Sequence, residues 1–111
     1  MSNQKPMHSD PVLTVQDGKV TASSRDIARK FGKRHRDVVR AIEGLDCSPK
    51  FKGRNFAPLK FLYRGQASPY YEMTRDGFSL LCMGFTGRKA AIWKEAYIEA
   101  FNRMEETLLQ E

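Results

Sequence analysis

TASSRDIARKFGKRHRDVVRAIEGL, residues Thr21 to Leu45, reads as two short helices joined by a tight turn. Ser23 or Ser24 is placed to cap the first helix, because a serine oxygen can accept from the free N–H groups of a first turn. Asp26, three residues after Ser23, makes an acidic variant of the capping box. Ile27, Ala28 and Phe31 supply an apolar face at helical spacing. Gly32 marks the stop, since glycine enters the left-handed region that closes many helices without penalty. The second helix is expected from about Arg34 to Gly44, with Val38, Ala41, Ile42 and Leu45 inward and Arg36, Asp37, Arg40 and Glu43 outward.

Toward the C-terminus, residues 46–55 read as a loop punctuated by Pro49, Gly53 and alternating lysines. Phe56–Tyr63 and Tyr70–Met73 read as the strands of a hairpin that turns around Arg64, Gly65 and Gln66. Thr74 is placed to cap a further helix striped by Phe78, Leu81, Cys82 and Phe85, with Asp76 favourable at its positive end. Thr86 is expected to cap the last helix, 86–110, which at ~1.5 Å per residue would reach roughly 36 Å. Ala90, Trp93, Tyr97, Phe101, Met104 and Leu108 form one row along it. That row is longer than a small core needs, so Tyr97, Phe101, Met104 and Leu108 are expected at a homodimer interface.

Toward the N-terminus, Val12–Val15 and Lys19–Thr21 read as strands about an Asp17–Gly18 turn. Residues 1–11 are polar, contain two prolines and read as a flexible segment, which leaves 12–111 as one domain. The fold class expected is α+β: a winged helix-turn-helix-like domain with small β-hairpins and a long C-terminal helix.

The 111 residues carry 19 Lys and Arg against 13 Asp and Glu, a net charge of +6. Residues 19–54 hold eleven bases and four acids, a net of +7, whereas residues 95–111 hold five acids and one base, a net of −4. A cationic body predicts a face for a polyanion. The candidate DNA contacts are Arg25, Arg29 and Lys30 on the first helix, then Lys33, Arg34, His35, Arg36 and Arg40 at the turn and second helix. Lys50, Lys52, Arg54 and Arg64 extend the cationic surface toward the hairpin. Arg36 and Arg40 are the candidate base readers, because a guanidinium can bond guanine O6 and N7 together; the others suit phosphates. Lys33 departs from the pattern, since such motifs often place an apolar residue after the turn glycine.

Several functions are disfavoured. No leader with an apolar core is visible, and no apolar run is long enough to cross a bilayer. Cys47 and Cys82 have no ligand spacing and read as reduced thiols, Cys82 as a small buried hydrophobe. His8 and His35 lie in unrelated contexts. No metal, cofactor, small-molecule substrate or catalysis is expected, and no membrane partner. Tyr63, Tyr70 and Tyr71 could stack RNA bases, but aromatic strands are more often core.

Thr21–Leu45 also resembles the start of the phage regulatory protein Rha family, through Ser24, Arg25, Ala28, Phe31, Lys33, His35 and Val38. Asn55 and Phe56 are similar to its middle segment. Tyr70–Glu105 resembles its second half through Thr74–Gly77, Met83–Gly87, Lys89, Ala90, Lys94, Ala96, Tyr97, Phe101, Asn102 and Met104. The resemblance implies a phage or prophage regulator in the bacterial cytoplasm, binding duplex DNA or acting as an antirepressor on a repressor protein. It brings no catalytic residues with it. Arg75, Asp76 and Gly77 read more readily as a structural helix start than as a binding surface.

Overall fold

The computed structural model describes residues 10–109. The flexible segment expected over residues 1–11 falls mostly outside them, as does residue 110 of the last helix. Within them, the helix pair and both hairpins are present. β1 (Leu13–Gln16) and β2 (Lys19–Ser23) turn at Asp17 and Gly18, whose φ values of 52° and 77° suit a two-residue hairpin loop. α1 (Ser24–Phe31) follows directly, and α2 (His35–Glu43) after a three-residue connection. α3 (Pro49–Asn55) leads into β3 (Phe56–Tyr63), which returns as β4 (Gln66–Met73) through Arg64 and Gly65 at φ 53° and 79°. α4 (Arg75–Cys82) and α5 (Arg88–Leu109) complete the chain.

The two hairpins join. β2 pairs with β4 at Ala22↔Met73 and Ser23↔Glu72, giving one antiparallel sheet of order β1-β2-β4-β3. β4 begins at Gln66, not Tyr70, despite Pro69. Tyr71 N–H points away from β3, to Ser24 Oγ, so the proline nitrogen two residues earlier faces the same unpaired side. Pro58, opposite Tyr71 on the edge strand, likewise has no ladder bond to lose.

Residues 46–55 are not all loop. Ser48 Oγ accepts from Phe51 N at 3.1 Å, and Pro49 takes the first helical position, where its missing N–H costs nothing. The last helix starts at Arg88 instead of being capped by Thr86: Gly87, at φ 100°, contributes the first carbonyl, to Ala91 N–H. At α4, Thr74 Oγ1 caps Gly77 N–H and donates to Asn55 Oδ1 at 2.6 Å. Gly77 has to be small, since a Cβ there would lie 2.8 Å from the Asn55 carbonyl. Arg75 ties α4 to α5 through Asn102 Oδ1 at 3.2 Å and Glu105 at 3.5 Å.

Ile27, Phe31, Val38, Ile42, Phe56, Met73, Phe78, Leu81, Tyr97 and Phe101 lie in one buried cluster. Phe78 is its aromatic centre, 4.8 Å from Tyr97 and 5.8 Å from Phe101 between ring centroids. This corrects the interface expectation for two residues. Tyr97 and Phe101 are each 0% exposed and belong to the core. Met104 and Leu108 are half-buried against the same cluster, so the distal turns of α5 do have intramolecular surface to cover. Cys82 is buried as expected, which pushes its thiol pKa up to about 12.

Candidate nucleic-acid interface

Ser23 caps α1 by accepting from Arg25 N at 3.1 Å. At the other end, Gly32 N–H bonds Arg29 O at 3.3 Å and Lys33 N–H bonds Ala28 O at 2.9 Å. That pair of bonds is a Schellman closure, made possible by Gly32 at φ 69°. The chain therefore reverses between α1 and α2 in a fixed way. Lys33 is reconciled with the turn by lying over the Phe85 ring, its Nζ 4.6 Å from the centroid.

Asp26 does not complete a capping box. It is 2% exposed and accepts from Val12 N–H at 3.1 Å, Lys30 Nζ at 2.7 Å and the Tyr97 hydroxyl. Burial and this carboxylate both push the Tyr97 hydroxyl pKa up, keeping it a donor. Lys30 is consequently not a phosphate contact: its side chain is 6% exposed and its charge is spent on Asp26. Arg29 also reaches Asp26, at 3.3 Å, but its side chain is 64% exposed.

Ser24 connects helix pair and hairpin. It is 0% exposed, and its Oγ accepts Tyr71 N–H at 3.0 Å, one register step beyond Ser23↔Glu72. The same oxygen lies 2.9 Å from His35 Nε2 on α2. Burial first, then the Arg25 charge, holds the His35 pKa below its ordinary value, which favours the neutral ring in this bond to Ser24 Oγ. At the far end of α2, Tyr71 Oη lies 3.5 Å from Glu43 Oε2, and burial first, then that carboxylate, raise the tyrosine pKa. α2 is thus joined to β4 through Ser24 of α1 at its start and by Tyr71 at its end.

Two grooves result. One, of about 350 Å³, lies between α1 and the β3–β4 hairpin and is lined by Arg25, Ala28, Arg29, Lys33, His35, Phe61, Tyr63 and Ser68. The other runs between α2 and the hairpin past His35, Arg36, Val39, Arg40, Phe61 and Pro69, with Glu43 at its end. Seven sequence candidates therefore surround one region: Arg25, Arg29, Lys33, His35, Arg36 and Arg40 by these linings, and Arg34 by its place before α2. Arg36 and Arg40 are exposed, while Val38 and Ile42 on the opposite face are each 0% exposed.

The remaining candidates are dispersed. Lys52 Nζ donates to Glu43 O at 2.9 Å and so closes α2. Arg54 lines a different groove, with Lys19, Thr74, Arg75 and Leu108. Lys50 is exposed on α3. Arg64 sits at the hairpin tip, its guanidinium 5.3 Å from the Tyr63 ring. Phe61 was missed by sequence reasoning, and Ser24 was read as a candidate cap and not as the bridge to His35 and Tyr71. Alternation along β3 puts Leu59, Phe61 and Tyr63 on one face, but only the tertiary packing shows which cations that face meets.

Among the described residues, no three His, Cys, Asp or Glu side chains are grouped to hold a metal ion, and no helix is long and apolar enough to cross a membrane. The chain belongs to the phage regulatory protein Rha family, whose model matches residues 22–106, from the end of β2 through most of α5. It is 39% identical over 97 residues to a 22.8 kDa protein of Salmonella phage P22, covering 84% of this chain and 48% of that one. A Haemophilus influenzae protein is 40% identical, covering 100% of this chain and 67% of its own length. A Bacillus subtilis protein, YoqD, described as a candidate antirepressor derived from the SPbeta prophage, is 29% identical over 92% of this chain and 43% of its own length. The chain thus spans 43 to 67% of these relatives. No solved structure matches it.

Proposed function

We propose that this chain is a phage regulator that binds duplex DNA, with α2 in the major groove as the reading helix and α1 and the hairpin against the flanking backbone. The observation that carries this reading is the division of α2 into a face buried through Val38 and Ile42 and an exposed face bearing Arg36 and Arg40. The order α1, glycine turn, α2, hairpin supports a winged helix-turn-helix plan, to which α3 is an addition. Arg36 and Arg40 read base edges, and Arg25, Arg29, Lys33 and Arg34 grip phosphates. Arg64 extends the grip from the hairpin tip, and Lys50 and Arg54 add long-range attraction. Because neither Arg36 nor Arg40 faces the core, Arg36→Ala and Arg40→Ala should fold normally. Each should cost roughly 1–3 kcal/mol of binding and relax preference at one base pair. Fluorescence anisotropy on a selected duplex and its single-base variants measures this. Unchanged affinity and preference in the double variant would remove α2 as the reader.

The name of the Bacillus relative favours a second reading, an antirepressor that binds a repressor protein without touching DNA. Its surface would be the outer face of α5, where Ile92 is 60% and Ile98 42% exposed. A homodimer would use this outer face in place of Tyr97 and Phe101. The antirepressor reading predicts no salt-sensitive duplex binding.

A further inference from the structure

We infer that the groove between α1 and the β3–β4 hairpin seats one phosphodiester strand of the bound duplex, and that Phe61 is the positioning residue that keeps Arg25 aimed at it. This rests on the DNA-binding reading and deepens it: the hairpin becomes a platform that orients a cation supplied by α1.

Three observations meet at Phe61. The Arg25 guanidinium carbon lies 3.7 Å from the Phe61 ring centroid, close enough for face-on stacking. The His35 ring meets Phe61 edge-on at 6.1 Å, and Tyr70 supports it from β4 at 5.8 Å. The ring is therefore wedged between α2 and the neighbouring strand while its face holds the arginine. An exposed arginine normally samples many rotamers, and ordering it on binding costs affinity. A guanidinium already stacked on a fixed ring has lost most of that freedom, and its planar edge stays available to a phosphate.

The lining identifies the occupant. Arg25, Arg29 and Lys33 stand along the groove, His35 and Ser68 offer polar groups, and no acidic side chain lines it. Asp26, the one acid on α1, does not line it and is buried with Lys30 and Tyr97. Apolar walls with cations on them suit a sugar–phosphate strand, which presents charge and an apolar sugar edge together. The Ser24 bridge to His35 and Tyr71 N–H fixes the separation of α1, α2 and β4, so the groove and the reading helix engage one duplex in a set register.

The test is a double-mutant cycle with Arg25→Ala, Phe61→Ala, the double variant and Phe61→Tyr, each titrated with one duplex by fluorescence anisotropy across a salt series. Thermal unfolding identifies any variant that fails to fold, and Phe61→Leu keeps apolar bulk without the ring. Arg25→Ala should make the slope of log affinity against log salt shallower by about 0.9, one phosphate contact. Phe61→Ala and Phe61→Leu should reproduce part of that change, the double variant should be no worse than Arg25→Ala alone, and Phe61→Tyr should retain the wild-type slope. Independent, additive effects of Arg25 and Phe61, or an unchanged slope in Phe61→Leu, would overturn the inference while leaving α2 as the reader. A wild-type protein without salt-sensitive duplex binding would remove the DNA reading and this inference together.

Discussion

Asp26 shows how far one residue's role can lie from its local sequence context. Its position after Ser23 suits a capping box, yet the carboxylate turns inward and joins α1 to the chain entering β1, through Val12, and to α5, through Tyr97. Nothing in residues 23–30 could reveal a partner 71 positions away. Lys30 was misread for the same reason, since a lysine on a basic helix is usually solvated. Asp26→Ala would leave the Lys30 ammonium buried without its counter-charge, and the expected loss of stability, by urea unfolding, is about 3–5 kcal/mol. A loss under about 1 kcal/mol would show that the pair is not buried as described. His35 predicts a pH effect. Its folded pKa lies below 6.5, so between 6.5 and that lower value the unfolded chain binds the proton more readily. The associated stability is complete above pH 6.5 and is lost as pH falls through the window. Unfolding midpoints of the wild type should drop between pH 7.5 and 5.5 by more than those of His35→Gln, and equal drops would reject the neutral-histidine bridge to Ser24.

At the scale of elements, the parts carried by periodicity and capping were legible. The boundaries of α1 and α2, the Gly32 closure, the Thr74 cap and both hairpin turns follow from local chemistry. α3 did not, because Phe51 is the only large apolar side chain in Pro49–Asn55 and Gly53 interrupts the run. The Ser48–Pro49 pair was a usable signal, a cap followed by proline at the first position. The union of the hairpins into one sheet was beyond local reading, because β2 meets β4 across some fifty residues of chain and only two register pairs. The Gly32 turn carries the prediction at this scale. A β-branched residue at φ 69° meets the left-handed penalty, roughly 1–2 kcal/mol. Gly32→Val should therefore destabilise by at least that much and Gly32→Asn by less, since asparagine tolerates the region. Equal stabilities for the two variants in urea unfolding would contradict the closure.

Across the whole molecule, charge and packing divide the labour. The basic stretch 19–54 surrounds the helix pair, while the acidic stretch 95–111 lies on or beyond α5. The sequence conveyed that asymmetry and most members of the cationic region. It could not show that Arg54 faces another groove or that Tyr97 and Phe101 are core, because both facts depend on how α4 and α5 close over the sheet. A face with six cations around two grooves should bind a duplex chiefly through its phosphates, with α2 adding sequence preference. The direct measurement is the salt dependence of duplex binding by the folded wild-type protein, followed by fluorescence anisotropy. If about six phosphates are neutralised, log affinity should fall with log salt at a slope of about −5. Folded protein that shows no salt-sensitive duplex binding at tens of micromolar, even near ~50 mM salt, would contradict it.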